Sequence, residues 1–166
     1  MTMLGNVPDL LTAHCVVLCI SDSISASHDA NGKEIESLLH EKGHELVYRR
    51  IIKNQPEAIK EAIGDALAEE QCDFIVTTGG TGISRKDVTI KVLSELFEEE
   101  LPGFGELFRW LIFQELGSTA LRTRACAGLI EGRPVFSLPG AHNAVKIGME
   151  NLILPEIGNL LGDLAH

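Results

Sequence analysis

Asp73-Phe74-Ile75-Val76-Thr77-Thr78-Gly79-Gly80-Thr81-Gly82 is the stretch that sets the architecture. Its first half is apolar without alternation, the pattern of a strand buried on both faces, and such strands belong to parallel sheets covered by helices. Its second half changes abruptly to glycine. Glycines permit backbone angles closed to other residues and let a ligand approach the main chain, so consecutive N–H groups can converge on the oxygens of an anion. A ligand loop and a plain structural turn both satisfy this composition. The stretch is neither GxxxxGK[ST] nor GxGxxG, which excludes the two common nucleotide-binding loops.

The flanking chain repeats the same unit. Upstream, His14–Ile20 is a second apolar strand, and it stops at Ser21-Asp22-Ser23. Ile35, Leu38 and Leu39 then recur at helical spacing between Asn31 and Lys42, with Gly43 as a stop. Glu45–Ile52 reads as the next strand. Pro56 suits a helix start, and Ile59, Ile63, Ala66 and Leu67 give that helix one apolar face through about Glu70. Downstream of the glycines, Val88–Phe97 carries Val92, Leu93 and Leu96 at helical positions. Strand, loop and helix thus occur three times, which favours a mostly parallel sheet over a hairpin-based fold.

The second half of the chain is less regular. Leu107–Leu116 predicts an amphipathic helix with a wide apolar arc, suited to lying under the sheet or to joining subunits. Arg124–Ile130 and Arg133–Leu138 read as adjacent strands around a Glu131-Gly132 turn. Val145, Met149, Leu152 and Ile153 mark a closing helix, which Pro155 and Gly158 are expected to interrupt. Residues 1–13, with Gly5, Pro8 and Asp9, read as an extension over the surface or a neighbouring subunit, and 14–166 as one α/β domain. A length of 166 residues leaves no room for a second domain.

Lys+Arg 14 against Asp+Glu 24 gives a formal charge of -10, which repels nucleic acid and anionic lipid at long range. A small anion can still bind where backbone amides and local cations outweigh that field, and Arg85, Lys86, Arg122, Arg124 and Arg133 are candidates for the cations. No apolar run reaches the roughly 18 residues of a membrane span. Cys15, Cys19, Cys72 and Cys126 lack CxxC spacing and read as small buried thiols in a reducing compartment. A cytoplasmic location is the expectation, with no nucleic-acid or membrane partner. Aromatic side chains are few, so aliphatic ones are expected to fill the core.

Three polar breaks fall at strand ends: Ser21-Asp22-Ser23, the glycine loop, and Ser137-Leu138-Pro139-Gly140-Ala141-His142. Parallel sheets gather ligand loops beyond the carboxyl ends of their strands, so these three are expected to form one rim. Asp22 can orient a ligand or close a turn. Asp29, Asn31 and Gly32 can arrange the loop before the first helix. Asp87 can hold a hydrated Mg²⁺ between phosphate oxygens, or cap the following helix. His28 and His142 lack the partner spacing that establishes catalysis. No GxSxG nucleophile elbow is present, which disfavours a hydrolase triad.

The ordered set Cys19-Ile20-Ser21-Asp22-Ser23, Asp29-Ala30-Asn31-Gly32, Thr77 through Thr89, and Leu138-Pro139-Gly140-Ala141 resembles the MoaB/Mog molybdopterin-binding family of molybdenum cofactor biosynthesis. Leu101–Arg109, followed by Gln114-Glu115-Leu116-Gly117, is most similar to MoaB. The resemblance spans about His14 to Leu161 and implies a three-layer α/β/α sandwich. It implies that Gly79, Gly80, Thr81 and Gly82, with Ser84, surround phosphate, and that Asp87 supports Mg²⁺. Ser21, Asp22 and Ser23 would line the pterin-nucleotide region, and Pro139, Gly140 and Ala141 its other wall, where the family commonly has serine after Pro-Gly.

Active family members transfer the adenylyl group of ATP to molybdopterin. The terminal phosphate of molybdopterin attacks the α-phosphorus, and pyrophosphate leaves with Mg²⁺. One departure bears on this: such members usually carry an acid after the second strand, where this chain has Asn54 within Lys53-Asn54-Gln55-Pro56. An amide hydrogen-bonds but brings no negative charge to a metal. The resemblance therefore implies a molybdopterin adenylyltransferase in which Asn54 stands at a catalytic position, or a non-catalytic molybdopterin-binding protein of the same pathway. It also implies a homotrimer or homohexamer.

Overall fold

A computed structural model describes residues 11–166; most of the expected extension, residues 1–10, lies outside the described residues. The chain runs β1 (His14–Ile20), α1 (Ala30–Glu41), β2 (Glu45–Ile52), α2 (Pro56–Ala68), β3 (Phe74–Thr78) and α3 (Thr89–Leu96). It continues with β4 (Glu99–Glu100), α4 (Pro102–Leu116), β5 (Cys126–Ile130), β6 (Arg133–Leu138), α5 (His142–Gly148) and α6 (Leu154–Leu164). The strands form one sheet in the order β2-β1-β3-β6-β5-β4. β2, β1, β3 and β6 are parallel, whereas at one edge β5 pairs antiparallel with β6 and β4 antiparallel with β5.

Alternation along β1 explains why its sequence lacks a polar face. Cys15, Val17 and Cys19 point into one apolar layer with Ile35 and Leu39 of α1, Phe108 and Ile112 of α4, and Val145 and Ile157 of the closing helices. Val16, Leu18 and Ile20 point the other way, against Ile59, Ile63 and Ala66 of α2 and Val92 and Leu93 of α3. Helices on both faces of a largely parallel sheet make the three-layer α/β/α sandwich. The core is less uniformly aliphatic than composition suggests: Phe136 meets Phe104 at 5.2 Å and Phe74 at 6.4 Å between ring centroids, both edge-on.

Three elements depart from the sequence reading. α4 begins at Pro102 and takes in Gly103 and Gly105; a Cβ at Gly105 would stand 2.7 Å from Ala125 O, so the glycine admits the backbone just before β5. β4 is a two-residue strand whose Glu99 and Glu100 carry no apolar pattern. The closing helix is not broken at Pro155 or Gly158. A π-helical segment, Met149–Ile153, joins α5 to α6, and its wider turn sets Leu154 N–H on Met149 O, placing Pro155 in the first turn of α6, where a proline is tolerated.

The chain leaves β1 for β2 on one side and returns to β3 on the other. Loops after β1 and β3 therefore diverge at a topological switch point, where open α/β sheets hold ligands.

Candidate functional site

A cleft of about 820 Å³ opens at that switch point. Ser21 and Asp22 after β1, Asn54 after β2, Gly79 through Gly82 after β3, Asp87 before α3, and Pro139 and Gly140 after β6 all line it. The three loops expected at one rim thus meet. Ser23, Ser84 and Ala141 are exposed and not part of the lining: Ser23 N–H donates to Ser21 Oγ at 3.2 Å, Ser84 Oγ donates to Asp87 Oδ2 at 2.9 Å, and Ala141 O accepts Val145 N–H in the first turn of α5.

The glycine loop is fixed at its start and open beyond it. Gly79 N–H donates to Leu138 O at 2.9 Å, which ties the loop to the end of β6. Gly79 and Gly80 have φ of +96° and +69°, the left-handed region. A Cβ at Gly79 would lie 2.3 Å from Ile20 O, so the close approach to β1 also requires glycine. Thr89 Oγ1 donates to Gly79 O and Thr89 N–H to Gly80 O, both at 3.0 Å, joining the loop to the first turn of α3. Arg124 donates from Nε to Thr81 O at 3.1 Å and from Nη2 to Gly82 O. With these carbonyls engaged, the N–H groups of Gly80, Thr81, Gly82, Ile83 and Ser84 find no acceptor among the described residues. Successive free amides in a concave loop are a donor set for an oxyanion.

The carboxylates differ in what they already hold. Asp22 Oδ1 accepts Asn54 N–H at 2.9 Å, so Asp22 both lines the cleft and closes one loop on another. Asp87 makes no cap: α3 has no side-chain cap, and Asp87 faces the loop, with Oδ2 2.5 Å from where a Cβ of Gly82 would stand. Asn54 Oδ1 instead accepts Val88 N–H through a long 3.5 Å contact at the α3 start. Asp29, 3% exposed, accepts Gly32 N–H at 2.8 Å as the α1 cap and pairs with Arg49 at 3.2 Å. Burial, reinforced by the Asp29 hydrogen bond, holds the Cys19 thiol far above its ordinary value and removes it as a nucleophile at neutral pH.

Among the described residues no group of three or more His, Cys, Asp and Glu could hold a metal ion. Asp22 and Asp87 fit a different arrangement, since Mg²⁺ keeps several waters and is commonly bound through one or two carboxylates plus substrate phosphates. The donor set suits a metal carried in on phosphate rather than a preformed cage.

Of the five nominated cations, Arg122 and Arg124 line the cleft. Arg85 and Lys86 are exposed outside it, and Arg133 donates to Leu67 O instead. Asn31 spans the remaining wall, donating from Nδ2 to Gly140 O at 2.7 Å while its Oδ1 lies 3.0 Å from His142 Nδ1. Sequence reasoning missed Thr119 and Thr123, contributed by the 3₁₀ segment after α4 and the residue following it. Two threonines in an irregular connection give no spacing signal that could have found them.

Residues 16–159 match the family model described as "Probable molybdopterin binding domain". Molybdenum cofactor biosynthesis protein B of Bacillus subtilis is 40% identical over 160 residues, covering 96% of this chain and 93% of that protein. A crystal structure of a molybdenum cofactor biosynthesis protein B superposes with a TM-score of 0.91 at 39% identity, covering 93% of this chain and 97% of the other. The tungsten cofactor synthesizing protein MoaB from Pyrococcus furiosus gives 0.84 at 37% identity, covering 93% and 98%. No helix among the described residues is long and apolar enough to cross a membrane.

Proposed function

Since the chain belongs to the MoaB/Mog family of molybdopterin-binding proteins, we propose that it binds molybdopterin in the switch-point cleft, as a binding protein of molybdenum cofactor biosynthesis. The observation that carries this reading is the run of unengaged N–H groups from Gly80 to Ile83, on residues that line the cleft together with Arg122. Those donors meet the phosphate of molybdopterin. Ser21 and Asp22 on one side and Pro139 and Gly140 on the other flank the pterin. The neutral Asn54, already engaged at the α3 start, favours binding without adenylylation.

A second reading is molybdopterin adenylyltransferase, and Asp87 supports it. Its carboxylate stands beside Gly82, turned to the loop rather than to the helix. When bound on phosphate oxygens, Mg²⁺ supplies charge neutralisation to the transferring groups. Asp87 would orient that assembly, and the loop amides would hold the phosphates in line. Purified protein incubated with molybdopterin and Mg-ATP separates the two readings. Molybdopterin binding without adenylylated product or pyrophosphate supports the first, and catalytic formation of both supports the second.

The same reading includes self-association. Leu107, Trp110, Phe113 and Leu116 of α4 are exposed, and Leu121 beyond it is 91% exposed. This strip suits the contact between copies in a homotrimer or homohexamer.

A further inference from the structure

We propose that Arg124 is the positioning residue of the glycine loop, setting the direction of its anion-binding amides without itself contacting the anion. The proposal rests on the phosphate-binding reading above. Arg124 stands 43 and 42 residues from the two carbonyls it engages, Thr81 O through Nε and Gly82 O through Nη2. A planar trans peptide sets its N–H opposite its C=O. Holding the carbonyl of Thr81 therefore aims the N–H of Gly82, and holding that of Gly82 aims the N–H of Ile83. Neither N–H has an acceptor among the described residues. Both point away from the guanidinium, the direction an oxyanion needs.

The side-chain chemistry suits this task. Guanidinium is a rigid planar fork that stays charged and presents several donors at fixed angles, so it can bracket two successive carbonyls. An ammonium carries the same charge as a compact point and does not fix two peptide planes together. Gly82 is a peptide that needs such bracketing, because glycine loses the most conformational freedom on being ordered. Arg124 leads into β5, which pairs with β6, so the fork is anchored to the sheet. Arg122 lines the same cleft without engaging these carbonyls.

Calorimetric titration of Arg124→Gln, Arg124→Lys and Arg85→Gln with molybdopterin and with dephosphorylated molybdopterin tests the proposal, alongside amide hydrogen exchange. Arg124→Gln should weaken the phosphorylated ligand by about tenfold, with the dephosphorylated ligand within about twofold. Exchange at Gly82 and Ile83 should quicken. Arg124→Lys, which keeps stem and charge, should remain within about threefold of Arg124→Gln, and it carries the test if the glutamine variant melts early. Arg85→Gln, losing one charge from the same loop outside the cleft, should stay within about twofold of wild type. Recovery by lysine would overturn the proposal by showing that charge alone acts. Equal loss of both ligands, or unchanged affinity in both Arg124 variants, would also overturn it. Failure of the wild type to prefer the phosphorylated form would instead sink the phosphate-binding reading itself, a result visible before any variant is made.

Discussion

The carboxylate of Asp22 accepts the backbone N–H of Asn54 at 2.9 Å, fastening the loop after β1 to the loop after β2, both of which line the cleft. Asn54 turns its own side-chain oxygen the other way, to Val88 N–H. An acid at that position would place a third carboxylate with Asp22 and Asp87. Asn54→Asp should therefore raise Mg²⁺-dependent ATP affinity and any adenylylated product, while metal-free molybdopterin binding weakens by about threefold through repulsion. Product assays and titration with and without Mg²⁺ check this. A folded variant indistinguishable from wild type would show that the charge at position 54 does not govern the chemistry.

Asp87→Asn removes a charge from the loop side of the cleft and leaves a side chain that can still accept from Ser84 Oγ. Mg²⁺-dependent binding of ATP should fall by about tenfold or more, and molybdopterin binding without metal should be kept or improved. Parallel titrations decide it. Equal losses with and without metal would remove Asp87 from any role toward Mg²⁺.

Gly80 and Gly43 separate backbone strain from crowding, because both have positive φ, +69° and +78°. A Cβ at Gly43 meets nothing within 4 Å, whereas one at Gly80 would lie 2.2 Å from Thr89 Oγ1. Gly43→Ala should cost about 1–2 kcal/mol and leave ligand affinity intact. Gly80→Ala should cost more and abolish tight molybdopterin binding, since Thr89 anchors the loop. Urea unfolding and calorimetry check both halves. Equal costs at the two sites would contradict the close packing described at Thr89.

Burial pushes the Cys72 thiol up to about 11. Burial and the charge of Glu100 push that of Cys126 up to about 12. An unfolded chain releases these protons near pH 8.5, so above that pH the unfolded state binds fewer protons than the folded one and stability falls with pH. The contribution is complete below about pH 8 and is lost progressively toward pH 11–12. Urea midpoints measured from pH 7 to 10 under reducing conditions should decline, and the double variant Cys72→Ala, Cys126→Ala should reduce the thiol part of that decline by about half, since burial raises Cys15 and Cys19 as well. The same slope in wild type and variant would show that other groups titrate.

Trp110→Glu places a charge in the exposed α4 strip. It should weaken self-association by about tenfold or more while leaving thermal stability of the separated chain little changed. Sedimentation velocity across a concentration series reads the effect. A wild-type protein that stays monomeric at its working concentration would contradict the strip as a contact between copies.

The fold was legible in sequence where burial on two faces erased polar alternation. His14–Ile20 coincides with β1, and the glycine stop of the equally buried β3 marked the loop; Glu45–Ile52 coincides with β2 although that edge strand is only half-buried. β4 was hidden because two exposed glutamates have no periodicity, and the α4 start because glycine signals a break even where it admits a neighbouring backbone. Pro155 read as an interruption because a π turn absorbs the clash through geometry that leaves no compositional trace. At the site, the loops at the strand ends could be named in advance. Their fastening could not: Arg124 and Asp22 act on backbone groups of Thr81, Gly82 and Asn54, which carry no side-chain signal at such separations.

The most direct measurement is a crystal structure of the protein soaked with molybdopterin, read for the position of the phosphorus atom. Binding as described puts the phosphate oxygens within hydrogen-bond distance of the amides between Gly80 and Ser84, with the pterin between Ser21-Asp22 and Pro139-Gly140. Molybdopterin bound with its phosphate away from those amides, or held at another surface while the cleft contains only solvent, would contradict it.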